Sequence, residues 1–248
     1  DVASRPPEAV RDIKKGMKRG MSGIFECIFC GTTTTRDYVA MEGKYKRIDV
    51  MPTAIVAEGP RGRIYLPAEN IKISELLPDV DTSGLEVELS PNPRDVWCRN
   101  FGLNSPADLF TPRQLVALTT FSDLVAEARE RVLADALAAG LPEGEGIAAG
   151  GRGARAYADA VATYLAIAVD RLAMTGNSLV RWNPVGEKAQ HAFGRQALPM
   201  VWDFAEPNFF SDSTGSITAA IELIADPLSL LNGTQGSSRQ FDATTNIS

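Results

Sequence analysis

Apolar positions recur at helical spacing in the second half of the chain. They predict a first helix that begins near residue 111 and ends at Gly140, and a second helix over about 155–175. The segment Thr111-Pro112-Arg113-Gln114 favours this start, because Thr111 is a good N-cap and Gln114 completes a capping box. The buried face expected for the first helix consists of Leu115, Leu118, Ser122, Val125, Val132 and Ala136. The face expected for the second consists of Tyr157, Val161, Tyr164, Leu165, Ala168 and Leu172.

The segment between these helices, residues 140–153, contains six glycines. This composition predicts a flexible loop, and two long helices joined by a loop should pack as an antiparallel hairpin. Shorter helices are expected over 187–196 and 217–225, each followed by a proline. Residues 232–248 are rich in Gly, Ser and Thr and predict a polar tail.

The N-terminal part of the chain favours strands. Residues 24–29 and 37–41 are short β-prone runs, and residues 53–57 and 63–66 flank a five-residue loop that predicts a hairpin. The prolines and the lack of periodicity that follow predict a connector crossing the surface of the fold. The expected segments are therefore a basic, β-rich, zinc-ribbon-like part (1–67), a Pro-rich connector (68–110), a helical domain (111–231) and a polar tail (232–248).

Taken together, these patterns predict an α+β fold that is mainly α-helical. A small zinc-ribbon-like β part at the N-terminus would be followed by a helical hairpin and shorter helices. The 248 residues are 44% hydrophobic and 23% charged, which suits a packed core. No apolar run reaches the roughly 18 residues of a membrane span, so no membrane is expected as a partner. Three cysteines are too few for a disulfide framework, which favours a reducing cytoplasm.

Charge is distributed unevenly along the chain. The net charge is −6, yet residues 1–63 carry 12 Lys and Arg against 8 Asp and Glu. The overall sign argues against a protein that coats nucleic acid over its whole surface, whereas a local basic cluster can contact phosphates. Lys14, Lys15, Lys18 and Arg19 are the candidate nucleic-acid contacts. The alternative is a solvated face with no ligand.

The sharpest local signal is Cys27-Ile28-Phe29-Cys30-Gly31. Two cysteines at this spacing on a turn form half of a tetrahedral zinc site, and the glycine relieves the crowded turn. Free buried thiols and a redox pair are the alternatives. The other soft ligands, Cys98 and His191, are single residues far away in sequence, and Cys98 suits a core position. Zinc is therefore a possible cofactor with Cys27 and Cys30 as its ligands.

A second cluster of interest is Trp202-Asp203-Phe204-Ala205-Glu206, which combines aromatic rings with carboxylates. Such a cluster suits contacts to a base or a cofactor through Trp202, Asp203 and Glu206. The alternative is a buried corner whose acids bond to neighbouring groups. The glycines around residue 150 lack the strand and the Lys-Ser/Thr of a phosphate loop, and the single histidine lacks the partners of a nucleophilic centre.

Several segments, in this order, resemble the central region of the large adenine-specific DNA methylases that contain a zinc ribbon. The most specific are Phe-Thr-Pro-Arg-Gln-Leu (110–115) and Gln-Ala-Leu-Pro-Met-Val-Trp-Asp (196–203). The resemblance covers most of residues 24–215. The segments that carry it are Met51–Gly59, Arg61–Pro67, Phe101–Leu103, Asp108–Leu115, Tyr157–Leu172 and Phe193–Glu206.

The resemblance implies a parent enzyme that transfers methyl groups from S-adenosylmethionine to the N6 amine of adenine. In that family the cofactor loop lies upstream and a catalytic Asp-Pro-Pro-Tyr motif lies downstream. This sequence contains neither, so the chain is expected to be an incomplete piece of a larger α/β methyltransferase. It should then have no catalytic residue of its own and no methyl transfer on its own, because nothing orients the adenine amine.

The same resemblance implies that this central part engages DNA or links the two catalytic halves, which would be its partners. Arg113 and Arg195 are candidate DNA contacts, with internal ion pairs as the alternative. The sequence departs from the family where Pro207 precedes Asn208, and it holds a single Cys pair. The alternative functions are a non-catalytic nucleic-acid-binding module and a protein-interaction module.

Overall fold

The computed structural model describes residues 5–20, 24–27, 29–68, 79–92, 94–194 and 196–231. Their contacts group into two units. The first draws on residues up to Asp123 and on Ala173–Pro207, and the second draws on Leu124–Leu172 and on residues from Asn208 onward. The first unit thus combines residues from three of the four segments expected from sequence. The predicted tail, 232–248, lies outside the described residues.

A helix and a small antiparallel sheet open the first unit. Helix α1 spans Pro7–Lys15, and strands β1 (Lys18–Arg19), β2 (Ile24–Glu26) and β3 (Thr33–Thr34) follow in the order β1-β2-β3. Lys18 pairs with Phe25 in the first ladder, and Phe25 pairs with Thr34 in the second. The predicted strand over 24–29 is therefore present but shorter.

The predicted strand over 37–41 is wrong, because these residues lie in helix α2 (Arg36–Lys44). Thr35 caps the helix by accepting a hydrogen bond from the Tyr38 N–H, which outweighs the β-propensity of the short run. Gly43 brings α2 against the backbone of Phe101. A Cβ at Gly43 would lie 2.2 Å from the Phe101 carbonyl oxygen, so only glycine fits this contact.

The predicted hairpin is confirmed as strands β4 (Ala54–Gly59) and β5 (Gly62–Pro67). Gly59 pairs with Gly62, which leaves a loop of Pro60 and Arg61 in place of the expected five residues. The strands are longer because the pairing continues into the glycines on both sides.

The predicted surface connector contains part of the core instead. Short 3-10 helices form over Ser83–Leu85, Trp97–Phe101 and Ala107–Leu109. Cys98 and Phe101 are buried, since the turn at Trp97–Phe101 directs both side chains inward. The buried core cluster of this unit consists of Val96, Cys98, Leu179, Val180, Ala189 and Ala192.

The two long helices are confirmed as α3 (Pro112–Ala138) and α4 (Ala154–Thr175). The capping box forms as expected: the Thr111 N–H donates to Gln114 Oε1 at 2.8 Å, and the Gln114 N–H donates to Thr111 Oγ1 at 3.3 Å. Leu118 and Ala136 are buried, but Ser122 is exposed. On α4 the buried apolar residues are Ala154, Ala158, Ala168 and Leu172, whereas Tyr157 and Tyr164 are exposed and were wrongly assigned to the buried face.

The conformation of the glycine-rich loop between these helices is fixed by hydrogen bonds and close backbone contacts. Asp159 on α4 accepts hydrogen bonds from the Ile147 N–H at 3.0 Å and from Arg129 Nε at 2.8 Å. A Cβ at Gly151 would lie 2.1 Å from the Glu145 carbonyl oxygen, so the loop folds closely on itself. The Ala154 N–H donates to the Pro142 carbonyl at 2.8 Å, which leaves this helix start with fewer donors for a phosphate.

The helix predicted over 187–196 is wrong. A small hairpin forms from β6 (Trp182–Asn183) and β7 (Lys188–Ala189), with Glu187 at a positive φ of 45° in its turn. The helix predicted over 217–225 is confirmed as α5 (Ile217–Leu228), which is longer and holds Pro227 in its last turn. The described part of the chain is therefore α+β, with five α-helices and small antiparallel sheets.

Candidate functional site

The two cysteines of the Cys27–Gly31 segment lie on a tight turn at the end of β2. The Cys27 N–H donates to the Thr32 carbonyl at 2.9 Å, and the Gly31 N–H donates to the Cys27 carbonyl at 2.9 Å. Gly31 adopts a φ of 71°, which suits a residue without a Cβ. We call this turn with its flanking strands β2 and β3 the Cys hairpin. Its geometry holds both thiols on one short loop, as half of a metal site requires.

The thiols of the Cys hairpin differ in environment from the third cysteine. Cys30 is exposed, and its pKa is lowered by hydrogen bonds with the Thr32 side chain, with the Thr32 backbone and with the Cys27 thiol. Cys98 is buried, and burial raises the pKa of its thiol, so the core position expected for Cys98 is confirmed. A metal ligand must be a thiolate, and Cys30 meets that requirement more readily than Cys98.

The described residues do not assemble a complete zinc site. Within them, no group of three or more His, Cys, Asp or Glu side chains is placed to hold a metal ion. His191 is exposed and belongs to the hairpin region after β7. Cys27 and Cys30 therefore fit two of the four ligands of a tetrahedral zinc, and zinc stays a prediction.

The four basic candidates near the N-terminus divide into two groups. Lys14, Lys15 and Lys18 are exposed and have no hydrogen-bond or ion-pair partner among the described residues. Arg19, in contrast, bonds to Glu26 on β2 through Nε at 2.6 Å. The charge of Arg19 is therefore paired within the sheet, whereas the side chains of Lys14, Lys15 and Lys18 have no such partner among the described residues.

The Trp202 cluster is a packed corner. The Trp202 ring meets the Phe25 ring edge-on at a centroid distance of 5.2 Å and the Phe101 ring at 5.0 Å. Trp202 therefore joins the Cys hairpin to the 3-10 turn at Trp97–Phe101. Because its ring contacts other rings, the structure favours a packing role over stacking on a base. Asp203 is exposed beside it.

Arg113 makes an internal ion pair. Its Nε donates to Glu206 Oε1 at 2.9 Å and its Nη2 donates to Glu206 Oε2 at 2.6 Å. Both side chains are about 30% exposed or less, at 29% and 27%. Because two of its nitrogens donate to Glu206, the guanidinium has few N–H groups left to bind a phosphate. The structure therefore favours the ion-pair alternative for Arg113. Arg195, the other candidate, lies outside the described residues.

Two residues of the Cys hairpin were missed by the sequence analysis. Phe29 lies between the cysteines with 92% of its surface exposed, and Thr32 is hydrogen-bonded to the Cys30 thiol. The position of Phe29 on a tight turn could have indicated its exposure, because an apolar ring there cannot pack into a core. The signal for Thr32 was a hydroxyl two residues after a cysteine.

Comparison with protein-family models, with curated proteins and with solved structures finds no match to this chain. None of the helices in the described part of the chain combines the length and the hydropathy that a membrane span requires.

Proposed function

We propose that this chain is the central segment of an S-adenosylmethionine-dependent DNA adenine N6-methyltransferase, where it recognises the target or links the catalytic halves. The support is the sequence resemblance together with one structural observation. Two segments that resemble the methylases, Asp108–Leu115 and Phe193–Glu206, are joined by the Arg113–Glu206 ion pair. Segments that are far apart in sequence and resemble one family thus form a single local structure.

The Cys hairpin belongs to the same structure. Phe25 on β2 packs on Trp202, and Trp202 lies within the second of those segments. The Cys hairpin and the segment Phe193–Glu206 are therefore in direct contact. This arrangement suits a segment that positions a DNA-contacting element relative to a catalytic domain.

The described residues do not fit a complete binding site for S-adenosylmethionine. Glu206 is paired with Arg113, and the Trp202 ring is packed between Phe25 and Phe101, so Asp203 alone of the three candidates stays exposed and uncommitted. The sequence also lacks the Asp-Pro-Pro-Tyr acceptors that orient the adenine amine. The proposal therefore assigns cofactor binding and methyl transfer to the flanking halves of the parent protein.

The experiment compares two proteins: the product of the complete reading frame that contains this chain, and the 248-residue chain alone. Each is incubated with DNA and S-adenosylmethionine that carries a labelled methyl group, and the modified base is identified by mass spectrometry. The proposal expects N6-methyladenine from the complete protein and none from the chain alone. Methylation of another base, or a folded complete protein that modifies no DNA, would contradict it.

A non-catalytic nucleic-acid-binding module is the second candidate function. It is favoured by three exposed lysines at the end of α1 and on β1, Lys14, Lys15 and Lys18. The same comparison separates the two candidates, because a binding module would bind DNA without methyl transfer in either protein.

A further inference from the structure

The most exposed aromatic ring in the described part of the chain is at the tip of the Cys hairpin. Phe29 has 92% of its surface exposed, and it stands between the two cysteines of the turn. The hydrogen bonds of Cys27 and Gly31 fix the backbone on both sides of it. A ring held out from a fixed turn is pre-organised for a flat partner, because binding would cost little conformational entropy.

The same end of the sheet carries the basic end of α1. Strands β1 and β2 are antiparallel, with Lys18 opposite Phe25. The Glu26 N–H then donates to the Met17 carbonyl at 2.9 Å. Residues before Lys18 therefore run alongside residues after Glu26, toward the tip of the Cys hairpin. Lys14 and Lys15, in the last turn of α1, belong to this end.

This end of the sheet carries positive charges that no acidic side chain among the described residues pairs with. Arg19 is neutralised by Glu26, but Lys14, Lys15 and Lys18 are exposed without a partner among the described residues. Three exposed lysines on the segment that leads into β1, at the same end of the sheet as a protruding ring, combine the two elements of single-strand recognition. Cations track the phosphates, and an aromatic ring stacks on an unpaired base whatever its identity.

We propose that Phe29, Lys14, Lys15 and Lys18 form a surface that binds single-stranded or locally unpaired DNA, with a base stacked on Phe29. The choice of DNA rests on the proposed function. The surface itself rests on the exposure, the strand register and the charges. Duplex DNA keeps its bases stacked inside the helix and offers the ring no face, so the single strand should bind more tightly.

The test uses the 248-residue chain and fluorescence anisotropy with a labelled DNA strand of about 12 nucleotides, within the range of known single-strand sites. We expect Phe29→Ala to weaken binding of the strand about tenfold, a loss typical of one stacked base. Phe210→Ala removes another exposed ring, 80% exposed and belonging to the second unit, and should leave the affinity unchanged. Circular dichroism checks that both variants are folded.

The lysines are tested by the salt dependence of binding. Replacing Lys14, Lys15 and Lys18 with Gln should lower the slope of log K against log salt by about 2, since each single-strand phosphate contact contributes about 0.7. The charge-matched control replaces Arg61, Arg131 and Lys188, which are exposed elsewhere. Equal effects of the two triple variants, an unchanged affinity of Phe29→Ala, or equal binding of duplex and single strand would overturn the inference.

These outcomes separate the surface from the proposed function. If the complete protein methylates adenine while Phe29→Ala binds DNA as the unmodified chain does, the inference fails and the proposed function stands. If Phe29→Ala weakens binding while the complete protein modifies no DNA, the surface stands and the proposed function fails.

Discussion

Arg113 and Glu206, which are 93 positions apart in sequence, form a bidentate ion pair through two parallel N–H···O bonds of 2.9 and 2.6 Å. Arg113 is in the first turn of α3, between Thr111 and Gln114 of the capping box. Glu206 ends the segment that contains Trp202. The pair therefore ties the beginning of a long helix to a distant loop within one unit.

Removing one partner of this pair should lower the free energy of unfolding. We expect Arg113→Ala to cost about 1–3 kcal/mol, because a partly buried carboxylate loses two charge-assisted hydrogen bonds. Arg113→Lys should recover only part of the loss, since an ammonium does not reproduce the fork. Urea denaturation of Arg113→Ala, Glu206→Ala and the double variant measures the coupling energy. Additive losses would contradict a direct pair.

The contacts of Trp202 make a second prediction about stability. Trp202→Ala should destabilise the protein by about 2–4 kcal/mol, because the half-buried ring packs against both Phe25 and Phe101. Trp202→Phe keeps an aromatic ring and should cost less than half as much. Chemical denaturation measures both variants. Equal losses for the two, or no loss, would show that the edge-on contacts contribute nothing.

The thiols should differ in reactivity toward an alkylating reagent. The pKa of Cys30 is lowered, first by its side-chain hydrogen bond with Thr32, while burial raises the pKa of Cys98. Cys30 should therefore react at a lower pH than an ordinary thiol, and Cys98 should react only on unfolding. Thr32→Val should raise the pKa of Cys30 and slow its alkylation near neutral pH. Mass spectrometry of the labelled peptides gives the rates, and an unaltered Cys30 profile in Thr32→Val would refute the assignment.

Asp108 should give the fold an acid-sensitive contribution. Partial burial alone would raise its pKa, but hydrogen bonds from Lys46 and from the Asn104 and Ser105 N–H groups lower it overall. A carboxylate whose pKa is lowered on folding stabilises the fold at pH values above its unfolded-state pKa, about 3.9. This stabilisation is lost as the pH falls through the folded-state pKa.

Asp108→Asn should therefore reduce the free energy of unfolding at pH 7 by about 1–2 kcal/mol. The difference from the unmodified protein should shrink at pH values below the folded-state pKa. Urea denaturation across this range measures it, with Asp203→Asn, an exposed carboxylate, as the control. A difference that stays constant down to the acid end would contradict the linkage.

Local signals in the sequence predicted the elements whose stabilising contacts are close in sequence. The start of α3 was predicted because its capping box joins Thr111 to a residue three positions away. The strand predicted over 37–41 was wrong because the Thr35 side chain caps a helix that begins at Arg36. The helix over 187–196 was wrong because pairing of Trp182 with Ala189 and a left-handed Glu187 formed a hairpin.

Only the part of the candidate site whose residues are close in sequence was predicted. Spacing alone identified Cys27 and Cys30 as a pair on a turn. The ion pair of Arg19 and the ring contacts of Trp202 depend on which segments meet, and no local pattern encodes that. Phe29 was missed because an aromatic residue is normally expected in a core, and its exposure follows from the hydrogen bonds of the turn.

The central claim, that this chain serves a DNA adenine methyltransferase, is tested most directly by the nucleosides of the DNA substrate. DNA treated with the complete protein and S-adenosylmethionine is digested, and N6-methyl-2′-deoxyadenosine is quantified by mass spectrometry against DNA treated with the chain alone. We predict N6-methyl-2′-deoxyadenosine in the first sample and background in the second. Background in both samples, from a folded complete protein that binds DNA, would contradict it.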